Sequence, residues 1–305
     1  MQAQTRHVLV ASVKAGSTDA EAVEAARAVL ADAGPVELVE TATPEELDTA
    51  LDSLDGRTLV VAGGDGSLHL VVTRLRARGE LRDVRLGLVP LGTGNDLARA
   101  LDLPLDPAAA AGVVLSCAPR ALDLIVDDVG GVVVNAVHVG VGADAAAHAG
   151  RLKPRLGPLA YPVGAVAAGL RSTGWKLRVE VDGRVLADGG GRSLMVGIGN
   201  GRGIGGGTPL LPHAEPDDGL LDVVVSSASG PLARVRFGAA LTAGRHLQDK
   251  AVRYARGTTV EVSGESVGVN ADGELGDDVR RRRWTVEPAE RAGAPAGRPS
   301  CNPQH

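Results

Sequence analysis

Aromatic side chains are nearly missing from this chain of 305 residues, where Phe, Trp and Tyr together make up 2%. A packed interior must therefore be built from Val, Leu and Ala. Cysteine is as scarce. Cys117 and Cys301 are too few for a disulfide framework and have no metal-type spacing, which excludes a zinc ribbon and fits a reducing interior. Excess positive charge is absent too: the net charge is −5, so no broad basic face is available and nucleic acid is excluded as a partner. No stretch approaches the roughly 18 uninterrupted apolar residues that span a bilayer, and the N-terminal segment Met1–Val10 lacks the apolar run of a secretory signal. A cytoplasmic protein without a transmembrane segment is expected. The sequence leaves the oligomeric state open, a homodimer included.

What is present is the balance of a globular protein, 44% apolar and 23% charged, at a length that suits two domains. His7–Val10, Val36–Thr41, Thr58–Ala62 and Arg85–Val89 read as buried strands. Between them, Asp19–Ala33, a helix opened by the capping box Thr43-Pro44-Glu45-Glu46 and running to about Leu54, and a helix that follows Gly63-Gly64-Asp65-Gly66-Ser67 and runs to about Arg78 carry helical spacing. Strands alternating with helices predict an α/β N-terminal domain with a parallel sheet and flanking helices over residues 1–122. Beyond Leu122 closely spaced strands separated by Gly/Asp turns (Leu122–Val126, Val132–Val139, Lys176–Val181, Leu194–Ile198, Leu221–Val225, Val252–Tyr254, Thr258–Val262) predict a mainly β-sandwich C-terminal domain over 123–288. Helices are expected at Leu159–Leu170 and Leu232–Leu241, and a mobile tail over 289–305.

Two turns carry chemistry. Gly63-Gly64-Asp65-Gly66-Ser67 joins a buried strand to a helix N-terminus, where glycines let backbone approach a phosphate and free N–H groups favour an anion. A carboxylate among phosphates repels them unless a divalent cation lies between, so Asp65 points to magnesium. The bland alternative is a tight strand-to-helix turn. Pro90-Leu91-Gly92-Thr93-Gly94-Asn95-Asp96 repeats the arrangement after the next strand, at the carboxyl edge where open α/β sheets bind ligands. There is no GxxxxGK[ST], and neither HRD nor DFG occurs, so a P-loop NTPase and a protein kinase are both excluded.

The glycine–aspartate turn followed by Pro90–Arg99 resembles the diacylglycerol kinase catalytic family, which includes bacterial lipid kinases and sphingosine kinases and whose N-terminal fold is similar to that of NAD kinase and phosphofructokinase. Gly199-Asn200 with Gly205–Gly207, the segment Pro212–Asp222, and Asn270-Ala271-Asp272-Gly273-Glu274 are similar to the family's C-terminal motifs, so the likeness runs over residues 7–287. The resemblance implies transfer of the ATP γ-phosphoryl group to a lipid hydroxyl, with Mg²⁺, by an enzyme that meets its lipid peripherally at a membrane surface. It implies that Asp65 and Asp96 organise magnesium and water around the phosphates. Thr41, Gly63, Gly64, Gly66, Ser67, Gly92, Thr93 and Asn95 would line the nucleotide. Asp272 would be the general base, supported by Glu274, in a cleft between the domains; read from spacing alone, Asp272-Gly273 is a hairpin turn. Glu215, Asp218 and the Leu220 carbonyl resemble a structural magnesium site.

Departures from the family are visible. Ala11–Gly16 lacks the Asn and Pro of the family's first loop, and Ser67-Leu68-His69-Leu70 replaces a polar helix position with leucine. Two basic groups, Arg151/Lys153/Arg155 and Arg280–Arg283, are candidates for contact with anionic headgroups, a solvated strand end being the favoured reading of the second. A kinase of a soluble substrate, as in the NAD kinase group, or a binding module without catalysis are the competing readings.

Overall fold

The computed structural model describes residues 7–12, 17–140, 173–227 and 230–289. The predicted helix Leu159–Leu170, the Arg151/Lys153/Arg155 group, residues 13–16 of the first loop and the tail beyond Ala289 lie outside the described residues. The chain divides into two compact units with the break at Ala121–Leu122.

In the first unit β1 (His7–Ser12), α1 (Ser17–Leu30), β2 (Val36–Thr41), α2 (Pro44–Asp52), β3 (Thr58–Gly63), α3 (Asp65–Ala77) and β4 (Leu86–Pro90) alternate. The short α4 (Asp96–Ala100) and α5 (Pro107–Ser116) follow. The strands form a parallel sheet in the order β2-β1-β3-β4. On one face Leu9, Val60, Ala62 and Val89 pack with Val23, Ala26 and Leu30 of α1 and Ala111 of α5. Apolar residues on both faces of the two central strands are what a sheet covered on both sides requires.

The capping box forms with one difference. Thr43 Oγ1 accepts the Glu46 N–H at 3.3 Å, while the Glu46 carboxylate reaches one residue further back, to the Ala42 N–H at 2.6 Å. Helix α5 is absent from the periodic reading because PAAAAGVVLS is apolar all round and has no 3.6-residue contrast. Its entry is nonetheless written locally: Asp106 Oδ1 accepts the Ala109 N–H at 2.8 Å, and Pro107 takes the first helical position.

The second unit contains β5 (Leu124–Asp127), β6 (Val132–Val133), β7 (Ala136–Gly140), β8 (Leu177–Val181), β9 (Arg184–Asp188), β10 (Met195–Gly199) and β11 (Leu221–Ser226). Then come α6 (Pro231–Thr242), β12 (Val252–Gly257), β13 (Thr259–Val267), β14 (Val269–Ala271), β15 (Glu274–Leu275) and β16 (Val279–Glu287). These strands form two six-stranded antiparallel sheets, β12-β11-β10-β7-β14-β15 and β6-β5-β16-β13-β8-β9. Val137, Val196, Ile198 and Val223 of the first meet Ile125, Val179, Val260 and Trp284 of the second in one sandwich core. The outer side of the first sheet carries a further apolar cluster with Leu210, Leu211, Val224 and Phe237 of α6.

One expectation for this unit changes. The predicted strand Val132–Val139 is interrupted at Val134-Asn135, because the N–H groups there turn to a carboxylate instead of a neighbouring strand. The basic run Arg280–Arg283 lies in a strand, as its favoured reading has it: in β16 Arg281 and Arg283 pair with Glu261 and Arg282 pairs with Asp127. The acidic partners on adjoining strands consume most of its charge.

Candidate active site

The carboxyl ends of β3 and β4 bring the two glycine-rich turns into backbone contact. A Cβ on Gly64 would stand 2.9 Å from Gly92 Cα, and one on Gly92 would stand 2.6 Å from Gly64 Cα and 2.8 Å from Asn95 Oδ1. No side chain fits in either place, so both glycines are required by the closeness of the two main chains. The Leu91 N–H donates to the Gly63 carbonyl at 3.0 Å, and the Leu97 N–H donates to Asp65 Oδ1 at 3.2 Å.

Asn95 holds the second turn from within. Its backbone is left-handed, φ 52° and ψ 44°, a conformation asparagine tolerates. Its side chain accepts the Gly92 N–H at 2.9 Å and donates to the Gly92 carbonyl at 2.7 Å. The amide of Asn95 therefore shapes the turn. Asp65 and Asp96 each occupy the first position of a helix, α3 and α4, where the positive end of the dipole favours a carboxylate. Asp65 is partly exposed, Asp96 is buried, and Gly66 and Thr93 are exposed.

Beside the first turn lies a cavity of about 270 Å³ whose wall includes Thr41, Thr43, Ser67, Leu47 and Leu70. Thr41 and Ser67 thus face one space, at the carboxyl ends of the parallel strands. Leu70, at the polar position the sequence lacks, supplies part of its apolar wall. The volume sits near the lower end of the roughly 300–1,000 Å³ typical of small-ligand pockets.

In the second unit Asp272 and Gly273 form the turn between β14 and β15, with φ of 49° and 91°. This is the hairpin turn that spacing alone suggests. The Asp272 carboxylate nonetheless reaches well away from its hairpin: Oδ2 accepts the Val134 N–H at 2.6 Å, and Oδ1 accepts those of Asn135 and Ala136 at 2.9 and 3.1 Å. Glu274 is exposed on β15. Next to this turn, in register across β7 and β14, stand the buried His138 and Asn270. Burial pushes the His138 imidazole down to about 4, so it is neutral at physiological pH.

Around Asp218 the arrangement is ionic. Asp218 Oδ1 accepts the Leu220 N–H at 3.0 Å and its other oxygen accepts the Arg256 guanidinium, which also donates to buried Asp222 at 3.1 Å. The Tyr254 hydroxyl donates to Asp222 as well. Burial raises the Asp222 carboxyl above its ordinary range against the opposing pull of Tyr254 and Arg256. Glu215 is exposed. Among the described residues no group of three or more His, Cys, Asp or Glu side chains is placed to hold a metal ion.

One acidic residue that the sequence reading did not single out is Asp123. It is buried, accepts the N–H groups of Gly219 at 2.6 Å and Ala289 at 2.9 Å, and its own N–H donates to the Pro216 carbonyl. Its signal is weak: an Asp just ahead of an apolar strand reads as an ordinary solvated start.

Two motif turns locked together at the end of a parallel sheet, followed by a sandwich unit, define a two-part protein of the glycine–aspartate kinase kind. The sequence pattern of the diacylglycerol kinase catalytic domain matches residues 6–126, and that of the YegS C-terminal NAD kinase beta sandwich-like domain matches residues 135–290. The chain belongs to the diacylglycerol kinase family, in its YegS-like branch. It is 39% identical over 249 residues to a "Probable lipid kinase YegS-like" of Pseudomonas aeruginosa (strain UCBPP-PA14), covering 79% of this chain and 78% of the relative. It is 30% identical over 254 residues to a "Diacylglycerol kinase" of Mycobacterium tuberculosis (strain H37Rv), covering 81% and 77%. A crystal structure of a diacylglycerol kinase from Bacillus anthracis str. Sterne shares the fold at a TM-score of 0.72 and 20% identity, covering 94% of this chain and 96% of that one.

Proposed function

We propose that this chain is a lipid kinase that transfers the γ-phosphoryl group of ATP, with magnesium, to a hydroxyl of diacylglycerol or a related lipid. The observation that carries the reading is the interlocked pair of turns, which brings Asp65, Asp96 and the N-terminus of α3 to one sheet edge beside a cavity. The relatives named lipid kinase and diacylglycerol kinase support the acceptor class.

The residues present fit a phosphate chain. Gly63, Gly64, Gly66 and Gly92 leave the main chain bare, and the first N–H groups of α3 have no partner inside the helix. Thr41 and Ser67 orient the nucleoside end from the cavity wall, Thr93 is exposed on the second turn, and Asn95 acts by holding that turn. Asp65 and Asp96 fit magnesium, a hard cation that takes carboxylate oxygens and would neutralise charge on the transferring group. In the second unit Asp272 takes the proton of the acceptor hydroxyl, with Glu274 beside it; three backbone N–H groups fix where its carboxylate points.

Glu215, Asp218 and Leu220 fit a second metal less well, since both Asp218 oxygens carry hydrogen bonds and Arg256 already supplies the positive charge. No step of the reading depends on a metal there. Among the described residues no helix is long and apolar enough to cross a membrane. Access to the lipid is assigned to peripheral contact.

Incubation with γ-labelled ATP and detergent-dispersed diacylglycerol tests the reading. Magnesium-dependent label in the lipid, abolished in Asp272→Asn, is the expected result. Equal labelling by that variant would remove Asp272 from the chemistry.

A further inference from the structure

Helix α6 turns an apolar edge to solvent. Ala233, Phe237 and Leu241, spaced by one turn each, face inward and pack with the cluster around Leu210 and Val224. The opposite side of a surface helix is ordinarily polar. Here it bears Leu232, 83% exposed, and Val235, 54% exposed, which stand three residues apart on one face. Leu232 is the most exposed large apolar side chain among the described residues. Its neighbours on that side, Gly238 and Ala239, bring no charge.

The sequence segment that carries this edge holds basic side chains and no acidic ones. Between Asp222 and Asp249 the sequence contains no Asp or Glu, while Arg234, Arg236 and Arg245 fall within it. That is unusual in a chain of net charge −5. The Arg236 guanidinium, 68% exposed, donates to both Asp249 oxygens at 3.1 and 3.2 Å, which offsets its charge, while Arg245, beyond the C-terminal end of α6, is exposed. Long arginine side chains flanking exposed leucine and valine match what an interfacial helix presents to a bilayer, apolar groups entering the headgroup boundary and guanidinium groups lying among phosphates. A chain repelled from anionic lipid by its overall charge needs such a local patch to approach it.

We propose that the outer face of α6, with Leu232 and Val235 as the inserting residues and the exposed Arg245 beyond its C-terminal end as a headgroup contact, is the surface by which this protein rests on an anionic lipid bilayer. The proposal concerns binding without nucleotide, so it stands or falls apart from the kinase reading. If both hold, α6 delivers the second unit to the membrane that contains its acceptor.

Vesicles of phosphatidylcholine with and without phosphatidylglycerol provide the probe, in co-sedimentation with wild type and with the double variant Leu232→Glu, Val235→Glu. Wild type is expected to bind the anionic vesicles and the variant to lose at least about tenfold in bound fraction, with an unchanged melting temperature, since both positions are exposed. Leu232→Trp should show a blue-shifted emission on adding the same vesicles. Equal binding by the double variant, or an unshifted tryptophan with vesicles that do bind the protein, would overturn the proposal. So would wild type that ignores anionic vesicles. A concentration-dependent dimer that the double variant dissociates would assign the face to a second copy of the chain and overturn it likewise. Phosphorylation of a detergent-dispersed acceptor at wild-type rate by the double variant would show the kinase reading intact whichever way the vesicles decide.

Discussion

The carboxylate of Asp65 accepts the backbone N–H of Leu97 at 3.2 Å, across thirty-two residues of sequence, and so fastens the turn after β3 to the turn after β4. One side chain therefore shapes the site and is, in the function proposed above, also a ligand for magnesium. Asp65→Asn separates the roles, because an amide oxygen can still accept that N–H. The expected outcome is a change in unfolding free energy within about 1 kcal/mol, the net worth of one such bond, with phosphoryl transfer lowered at least about a hundredfold. Chemical denaturation alongside single-turnover kinetics checks both.

Gly92→Ala places a methyl group 2.6 Å from Gly64 Cα, where the obstacle is main chain and cannot rotate away. Destabilisation of about 1–3 kcal/mol is expected, as for overpacking elsewhere, together with weakened nucleotide binding. Gly112→Ala, in α5 where nothing stands within 4 Å, is the control and should be neutral or stabilising.

Asp272→Asn removes one of the two acceptors that three N–H groups share and sets an NH₂ group against one of them. A loss of about 1–3 kcal/mol in stability follows from the unsatisfied donor. Turnover measured well below the melting temperature should fall about 10²–10⁴-fold if the carboxylate also takes a proton. A stability loss with near-normal turnover would leave Asp272 a structural anchor alone.

The fold was legible where local signals agree with the tertiary outcome. Alternating buried strands and helices placed β1 to β4, and Thr43-Pro44-Glu45-Glu46 placed the start of α2. Gly64 and Gly92 were legible as glycines with a purpose, but their mutual contact was not, since strand order brings them together and a turn alone does not. Asn95 reads as a nucleotide contact in the motif and turns out to spend both ends of its amide on Gly92. Arg280–Arg283 was legible as a strand end, but the full length of β16 was not, because the run has no alternation until Glu261 and Asp127 are beside it. Asp123 and His138 were illegible for the same reason: burial by residues distant in sequence gives them their character.

His138 makes stability depend on pH. Its folded value, about 4, lies below the unfolded imidazole value of 6.5, so the unfolded chain binds the proton first and stability falls as pH drops through that interval. The full effect is on the order of 3 kcal/mol at the acid end. His138→Gln should flatten the melting temperature between pH 6.5 and pH 4 relative to wild type, as read by calorimetry.

Arg256 holds the buried Asp222 carboxylate and the Asp218 carboxylate together. Arg256→Leu should destabilise the protein by about 2 kcal/mol or more, short of the roughly 3–5 kcal/mol of a fully buried pair because the guanidinium is partly exposed. With the guanidinium supplying the charge, EDTA should leave the melting temperature of the nucleotide-free wild type unchanged. A fall that Asp218→Asn abolishes would instead give the site to a metal.

The most direct test of the central assignment is one mixture containing γ-labelled ATP, magnesium and competing acceptors: diacylglycerol, a sphingoid base, phosphatidylglycerol, NAD and a simple sugar. The account predicts label in a lipid, lost on chelation and in Asp65→Asn. Label in NAD or the sugar, or undiminished lipid labelling by Asp65→Asn, would contradict it.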